Sequence, residues 1–167
     1  LVKDYRKYAR KHKTSCIVFC NSVQCARAIE HALASEGMTS NMKSSSYFKT
    51  SSLHGDIPPK LRMANYLRFR KRETQILVAT DLASRGLDMP FVSHVINFDC
   101  PKTPNDYLHR AGRAGRAGRE GFVMTMYRQQ KDMPLLEEIK KAQENYKPPK
   151  EVRELKSKLK KLDYKMK

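Results

Sequence analysis

Short runs of apolar residues mark the strands of this chain. Ser15–Cys20 is a short continuous apolar run, Gln75–Ala79 is the clearest buried strand, and Val92–Phe98 is a further apolar strand. Runs without polar alternation are typical of strands that are buried on both faces of a parallel sheet. A weaker strand is predicted over Thr50–Leu53 and a further one over Gly121–Tyr127.

Apolar residues at helical spacing separate these strands. Asn21 and Ser22 can cap a helix that ends at Gly37, and Pro58 or Pro59 can open the next. Thr103 is the expected cap of a third helix, which starts with a proline and carries an aspartate in its first turn. The other expected helices cover 1–13 and 132–143. The predicted inward residues are Ala26, Ile29 and Leu33, then Leu61, Ala64 and Leu67, and last Leu135, Leu136 and Ile139.

The alternation of strands and helices predicts an α/β fold. We expect a three-layer sandwich with a mainly parallel central sheet and helices on both faces. Ligands of such sheets bind beyond the carboxyl ends of the strands. The polar and glycine-containing clusters of this chain follow its strands: Asn21, His54–Asp56 and Thr80–Asp88. One edge of the sheet is therefore expected to carry most of the chemistry.

Two segments lie outside this alternation. Residues 38–49 are polar and serine-rich, and they are expected to form a loop. Pro148–Pro149 marks a boundary, so we predict a domain over 1–146 and a basic helical extension over 147–167. The leucines of the extension fall on one side of a helix. It can bind RNA as a basic arm, or pack its leucines on the domain and expose its lysines.

Charge points to a polyanionic partner. The 167 residues include 34 Lys and Arg against 17 Asp and Glu, a net charge of +17. Such a balance favours nucleic acid or an acidic membrane surface. The sequence has no apolar run of membrane-spanning length and no signal-peptide pattern, so a membrane role is reduced to surface attraction.

Cysteine usage indicates a reducing compartment. Cys16, Cys20, Cys25 and Cys100 form no CxxC pair, and the histidines do not cluster near them. Reduced thiols are expected, and neither a disulfide nor a metal site is predicted.

The segment His109–Arg119 has an arginine at every third position with glycines between. It contains no carboxylate that could neutralise these charges. Guanidinium groups match phosphate oxygens bidentately, and glycine permits close backbone approach, so the run is interpreted as a polyphosphate clamp. A flexible Arg/Gly segment with general RNA affinity, or a solvated basic face, is the alternative.

Polar residues near this run suggest further contacts. Asp88 suits a ribose hydroxyl, and Thr80 offers a hydroxyl to a phosphate. Arg62 can hold another phosphate. Each also has a plain structural interpretation: a turn aspartate, a strand cap and a solvated arginine. His54 and His109 can be ordinary hydrogen-bonded histidines.

Parts of a complete phosphoryl-transfer site are missing from the sequence. It has no GxxxxGK[ST] phosphate loop, no acidic pair after a strand to hold Mg²⁺ and no residue placed to orient an attacking water. Phosphoryl transfer needs these groups as well as an arginine finger. The chain can therefore complete an ATP site but cannot form one alone. We expect it to be one of two domains that together bind and hydrolyse ATP.

Four motifs give the chain a family resemblance. They are Ile17–Ser22, Leu53–Asp56 with Arg62, Ala79–Asp88 (ATDLASRGLD) and His109–Gly118 (HRAGRAGRAG). In order and spacing they resemble motif IV, the HGD…QxxR segment, motif V and motif VI of DEAD-box RNA helicases in superfamily two. The similarity covers roughly residues 14 to 141 and is to the C-terminal RecA-like domain.

The resemblance implies a role for each motif residue. Arg113 and Arg116 would be catalytic arginine fingers, and Gly86 and Asp88 would contact the nucleotide. Gly55, Arg62 and Thr80 would bind the RNA backbone. Arg85, His109 and Arg110 would bridge to the partner domain, and Phe19 would support the arginines from below.

The resemblance also implies the cofactor and partners. ATP with Mg²⁺ would be bound mainly by an N-terminal RecA-like domain of the same protein. The partners would be RNA and that domain, with no membrane, and the protein would be a monomer. The expected location is intracellular: nucleus, nucleolus or cytoplasm, or an organelle.

Departures from the family pattern keep alternatives open. Pro59 stands where the family usually has Gln, and Ala111 and Ala114 replace the commoner Ile and Thr. The leading hypothesis is an ATP-dependent RNA helicase that remodels short duplexes. The alternative is a non-catalytic RNA-binding scaffold with a degenerate ATPase half. A DNA helicase of the same superfamily is disfavoured by the detail of motifs V and VI.

Overall fold

The structure of the protein is a computed structural model in which residues 15–39, 49–84, 86–116 and 118–145 are described, with only the backbone given at 36–39. Several predictions concern other residues. The helix over 1–13, most of the loop over 38–49, Arg85 and the extension over 147–167 lie outside the described part of the chain.

Five parallel strands form the sheet of the described residues. In chain order they are β1 (Ser15–Cys20), β2 (Thr50–Leu53), β3 (Ile76–Thr80), β4 (Val92–Asn97) and β5 (Phe122–Thr125). Their spatial order is β2-β3-β1-β4-β5, and every pairing is parallel. The predicted strands are confirmed, with ends shifted by up to two residues.

The central position of β1 explains its composition. All six of its residues are buried, because the strand has a neighbour on each side and a layer on each face. Cys20 pairs with Thr80 of β3, and Phe19 pairs with Asn97 of β4. Three strands therefore end at one edge of the sheet, where the next residues along the chain are polar.

Five helices connect or follow the strands in the described part of the chain. They are α1 (Val23–Thr39), α2 (Pro59–Arg70), α3 (Asp81–Ser84), α4 (Pro104–Ala111) and α5 (Gln129–Asn145). The hydroxyl of Ser22 accepts a hydrogen bond from the amide of Cys25 at 3.1 Å, as expected of the α1 cap. Gly37 was predicted to stop this helix, and that prediction is wrong, because the helix continues to Thr39. The short helix α3 was not predicted.

The two faces of the sheet are covered by different helices. On one face, Ile17 and Phe19 of β1 pack in a cluster with Tyr66 and Phe69 of α2. On the other face, Cys16, Val18 and Cys20 pack with Ala26 of α1. Alternate residues of one strand thus enter opposite cores, as the pleat requires. The predicted RecA-like three-layer arrangement is confirmed.

Helix α2 buries a different side from the predicted one. Leu61 and Leu67 are 52% and 39% exposed, whereas Phe69 is fully buried and Tyr66 nearly so. Apolar residues occur on more than one side of this helix. The side that carries the large aromatic residues Tyr66 and Phe69 is the one that packs on the sheet, because these side chains have the most apolar surface to bury. The hydroxyl of Tyr66 also donates to the backbone carbonyl of Asp88 at 3.0 Å, which satisfies its polar end.

Helix α4 begins as its sequence predicts. The side chain of Thr103 accepts from the amide of Asp106 at 3.1 Å and donates to the Asp106 carboxylate at 2.8 Å. Pro104 occupies the first turn, where a missing N–H is tolerated. These local contacts fix the start of the helix that carries Arg110.

The chain divides into two compact units, residues 1–133 and 134–167. The sheet belongs to the first unit. The second contains the later part of α5, in which Ile139 is buried and Leu135 and Leu136 are half-buried. The predicted domain boundary at 146/147 stays a prediction. No helix within the described residues combines the length and apolarity needed to cross a bilayer.

Candidate functional site

The carboxyl edge of the sheet gathers the polar residues that the motifs identified. Asn21 follows β1, Asp81 follows β3, and Asp99 lies two residues past β4. Helix α4 runs beside this edge and brings Arg110 to it. A shallow pocket opens here, lined by Phe19, Asp81, Ser84, Asp106, His109, Arg110 and Arg113.

Arg110 is the most deeply buried charge of this edge, with 1% of its surface exposed. Its Nε and Nη2 donate to the two carboxylate oxygens of Asp81 at 2.7 and 2.6 Å. Nη2 also donates to the side-chain oxygen of Asn21 at 2.6 Å. A bidentate ion pair of this geometry is a strong anchor, and it joins α4 to the ends of β1 and β3.

Two further groups complete the surroundings of Arg110. Nη1 donates to the backbone carbonyl of Asp99 at 2.9 Å and to Asn97 at 3.4 Å. The guanidinium carbon lies 5.2 Å from the ring centre of Phe19, within range of a cation–π contact. Phe19 therefore lies under one arginine of the run, Arg110.

The interdomain role predicted for Arg110 stays a prediction. All three guanidinium nitrogens are bonded to acceptors of this chain, and almost none of the side chain reaches solvent. Its physical role in this structure is to hold α4 on the sheet. His109, the preceding residue, is exposed, so its predicted interdomain contact stays a prediction. Arg85 lies outside the described residues.

Arg113 lies in the turn after α4 and is half-buried. Its Nη1 donates to the backbone carbonyl of Leu87 at 2.6 Å, which joins motif VI to motif V. Partial burial and the neighbouring charge of Arg116 lower the pKa of Arg113, and Asp88 opposes that shift. The guanidinium has no carboxylate hydrogen-bond partner among the described residues, so part of its charge is uncompensated.

Arg116 is held more loosely than Arg110. Its Nε donates to the carbonyl of Gly112 at 2.7 Å, and its Nη1 is 3.4 Å from a carboxylate oxygen of Asp88. The two side chains of this pair are 39% and 78% exposed. An exposed pair at this distance contributes about 0–1 kcal/mol, so both groups can exchange it for a ligand.

Gly115 gives the loop its shape. It has a φ of 69°, and its amide donates to the carbonyl of Val92 at 3.3 Å. A Cβ placed on Gly121 would lie 2.4 Å from the Gly115 nitrogen, so the two backbones touch. Glycine permits both this left-handed φ and this close backbone contact.

The nucleotide-binding residues that the motif predicts are brought to this loop. Gly86 has a φ of 75°, and Asp88 is exposed beside Arg116. The carbonyl of Leu87, between them, holds Arg113. Gly86, Asp88, Arg113 and Arg116 therefore form one exposed surface, which we call the arginine loop surface.

The predicted RNA-binding residues lie after β2, at the end of β3 and on α2. Gly55 follows β2 and Thr80 ends β3, and these strands are paired with Leu53 opposite Ala79. Arg62 is on α2. Among the described residues, three buried polar side-chain atoms have no hydrogen-bond partner: Ser52 Oγ, His54 Nδ1 and Arg62 Nε. All three belong to β2, the segment after it or α2.

The residues present fit part of an ATP site. The arginine loop surface offers two cations for phosphate and an exposed carboxylate for a hydroxyl. No cluster of carboxylates suited to Mg²⁺ occurs in the described segments, since the only His/Cys/Asp/Glu group of three found there is Cys20, Cys25 and Asp99.

Sequence reasoning missed the partners of Arg110. Asn21 and Asp81 were placed in the polar clusters at this edge but were not paired with Arg110, and Asn97 was not singled out. The available signal for Asn97, which is fully buried, was its position near the end of a predicted strand. Its amide also donates to Thr125 of β5 at 2.9 Å.

This fold defines the class of the chain, which is a RecA-like α/β domain. The family model for the helicase conserved C-terminal domain matches residues 2–118. ATP-dependent RNA helicase dbp8 of Aspergillus oryzae is 42% identical over 117 residues, which are 70% of this chain and 24% of that protein. Its counterpart in Aspergillus fumigatus is 45% identical over 110 residues, 66% of this chain and 19% of the relative.

Solved structures show the same similarity. Saccharomyces cerevisiae Dbp5 bound to RNA and ADP BeF3 has a TM-score of 0.70 and 28% identity, covering 93% of this chain and 40% of that one. The Escherichia coli DEAD-box protein SrmB, bound to the regulator RraA, has a TM-score of 0.64 and 33% identity, covering 75% and 68%.

The chain belongs to the helicase conserved C-terminal domain family, as a DEAD-box C-terminal RecA-like domain. It spans about a quarter or less of the length of the curated relatives described above.

Proposed function

We propose that this chain is the C-terminal half of an ATP-dependent RNA helicase, and that it supplies arginine fingers and an RNA-backbone surface to a composite site. An N-terminal RecA-like domain of the same protein completes that site. The observation that carries the proposal is the arginine loop surface, where Arg113 and Arg116 are held by backbone carbonyls and their charges are only weakly compensated. The names of the relatives support an activity that couples ATP to RNA.

The chemistry proposed for the loop is electrostatic. Charge develops on the γ-phosphoryl oxygens during transfer, and a positioned guanidinium stabilises it by a factor of about 10³–10⁵ in rate. Arg113 and Arg116 perform this role. Asp88, whose carboxylate is largely exposed, accepts from a ribose hydroxyl, and Gly86 lets the backbone come close to the nucleotide.

The RNA surface consists of Gly55, Thr80 and Arg62. They lie by the paired ends of β2 and β3 and on α2, and Arg62 has a buried Nε that lacks a partner within the described residues. Phosphate oxygens are strong acceptors for such a donor. Backbone contacts of this kind bind RNA without reading its sequence.

The remaining roles follow from the same arrangement. ATP with Mg²⁺ is held mainly by the N-terminal domain, which Arg85 and His109 contact. Together the two domains unwind or remodel short RNA duplexes, as a monomer and away from membranes. The cysteines Cys16, Cys20, Cys25 and Cys100 are free, which supports an intracellular compartment, the nucleus, the nucleolus, the cytoplasm or an organelle.

The test is RNA-stimulated ATP hydrolysis by the full-length protein carrying Arg116→Ala. We expect the rate constant kcat to fall by about 10³ or more, because the transition-state charge loses its finger. Arg119→Ala is the matched control: it removes an exposed arginine of the same run that has no assigned role. Unchanged hydrolysis in Arg116→Ala would refute the finger assignment.

The chain alone tests the composite nature of the site. We expect no ATP hydrolysis, and weak binding to single-stranded RNA that declines with rising salt as counterion release predicts. Arg62→Ala should weaken RNA binding, with Arg68→Ala, an exposed arginine of the same helix, as control. Turnover by the purified chain would contradict the two-domain proposal.

A further inference from the structure

Three metal-ligating side chains meet at the edge of the sheet, outside the proposed nucleotide and RNA surfaces. They are the thiols of Cys20 and Cys25 and the carboxylate of Asp99, whose ligand atoms all lie within 4.8 Å of one another. Cys20 is buried, and the other two are partly exposed. Cys20 ends β1, Cys25 is in the first turn of α1, and Asp99 lies past β4. We call these three residues the thiol–carboxylate cluster.

The backbone fixes the position of each member. The amides of Phe98 and Asp99 both donate to the carbonyl of Phe19, at 3.0 and 3.3 Å, which prolongs the β1–β4 pairing past the end of the sheet. The amide of Cys25 donates to the capping hydroxyl of Ser22 at 3.1 Å. The cluster is therefore held by the strand pairing and by the helix cap, which are two rigid features of the fold.

One oxygen of the carboxylate already has a partner. The amide of Asn21 donates to Asp99 Oδ2 at 2.8 Å, and the Cys25 thiol is hydrogen-bonded to the same carboxylate, so the group is oriented toward the thiols. A ligating carboxylate is commonly oriented by such a hydrogen bond in metal sites.

We propose that the thiol–carboxylate cluster binds a soft divalent cation of the Zn²⁺ class, with two sulfur ligands, one oxygen ligand and a solvent molecule in the fourth position. Zn²⁺ takes sulfur and carboxylate ligands in tetrahedral sites, with bonds of about 2.0–2.3 Å. Ligand atoms in such a site are about 3–4 Å apart, so a small closing movement of the partly exposed Cys25 and Asp99 is enough.

Cation binding at this cluster is coupled to the release of the thiol protons. Burial raises the pKa of Cys20, with smaller contributions from Cys25 and Asp99, and burial also raises that of Cys25. A raised pKa disfavours the thiolate, which is the form that binds a metal, so the geometry of the three ligand atoms and not the pKa carries the proposal. A bound cation displaces both thiol protons, so that each binding event releases two protons to solvent. The affinity should therefore fall as the pH is lowered.

The cluster is connected to the anchor of motif VI. Asn21 donates from its backbone to Asp99 and accepts at its side chain from Arg110, and Arg110 also donates to the Asp99 carbonyl. A cation at the cluster would stiffen Asp99 and thereby the residues that hold α4. We expect added Zn²⁺ to raise the melting temperature of the chain.

The experiment is titration of the reduced chain with Co²⁺, which reports thiolate ligation by a charge-transfer band and tetrahedral geometry by intense visible bands. We expect one equivalent to bind, and equimolar Zn²⁺ to abolish both signals. Cys25→Ser should lose the charge-transfer intensity of one sulfur and bind at least about tenfold more weakly, and Asp99→Asn should weaken binding by a similar factor while keeping both sulfurs.

The matched control is Cys16→Ala. Cys16 is buried in β1 on the same face as Cys20 and is outside the cluster. This variant should keep the full signal, and circular dichroism checks that every variant is folded. The proposal is overturned if the wild-type chain shows no charge-transfer band at equimolar Co²⁺, or if folded Cys25→Ser retains the wild-type spectrum and affinity.

Discussion

Arg110 and the pair Arg113–Arg116 share one sequence pattern but have opposite environments. Arg110 is 1% exposed, and its guanidinium is bonded to a carboxylate, an amide oxygen and a backbone carbonyl. Arg116 is 39% exposed and has a carboxylate at 3.4 Å. The difference follows from secondary structure: Arg110 is on α4, and the others are in the turns beyond it.

The comparison separates anchoring from function in a single motif. A buried, fully bonded arginine contributes to holding the fold and is not available to a ligand. An arginine held by backbone carbonyls is positioned while its charge stays available. We therefore expect substitution of Arg110 or its partners to lower the free energy of unfolding, and substitution of Arg113 or Arg116 to lower ATP hydrolysis.

The largest effect on stability is expected from Asp81→Ala. It leaves the buried Arg110 guanidinium without its bidentate partner, which costs about 3–5 kcal/mol in the free energy of unfolding. Urea denaturation of the chain measures this loss. Asp88→Ala is the matched control, because Asp88 pairs with the exposed arginine. Equal losses of unfolding free energy in Asp81→Ala and Asp88→Ala would contradict the distinction between the buried Arg110 and the exposed Arg116.

Arg110→Met is expected to cost less than Asp81→Ala. It removes the buried charge and keeps an apolar chain of similar length over Phe19. Asp81, 30% exposed, can regain water when it is left behind. We expect a loss of about 1–3 kcal/mol, mainly from the unpaired Asn21 and Asp99 acceptors. If Arg110→Met lowers the free energy of unfolding more than Asp81→Ala in the same urea assay, the unpaired Asp81 carboxylate is costlier to leave behind than the unpaired Arg110 guanidinium, contrary to this prediction.

Thr103→Ala tests whether the anchor depends on the start of its helix. The variant removes the cap that bonds the amide of Asp106, at an expected cost of about 1 kcal/mol. Thermal unfolding followed by circular dichroism gives the value. Thr103→Ser should retain most of the stability, since serine caps equally well. A neutral Thr103→Ala would mean that Arg110, and not the cap, fixes α4.

The smallest effect on stability is expected from Arg116→Ala. Its exposed pair with Asp88 contributes about 0–1 kcal/mol, so unfolding of the chain should change by no more than this. The same substitution is expected to abolish most ATP hydrolysis in the full-length protein. If Arg116→Ala instead destabilised the chain, its loss of ATP hydrolysis could reflect unfolding. Hydrolysis by Arg113→Ala would then be the test of the arginine-finger role.

Local signals were the ones that sequence reasoning interpreted correctly. The cap at Thr103 and the strand Ser15–Cys20 depend on neighbouring residues, and both are found where expected. The orientation of α2 was predicted wrongly, because its apolar residues fit more than one helical side. Only the sheet decides that Tyr66 and Phe69 turn inward while Leu61 and Leu67 stay exposed.

The sequence by itself determined the parallel α/β fold, its family and the arginine run, because apolar periodicity, caps and ordered motifs are local properties of a chain. Tertiary structure alone decided which arginine is an anchor and which thiols meet a carboxylate. Arg110 is hydrogen-bonded to Asn21, 89 residues away in the sequence, and Asn21 to Asp99, 78 residues away. Contacts over such separations depend on strand order and register, which bring distant residues to one edge.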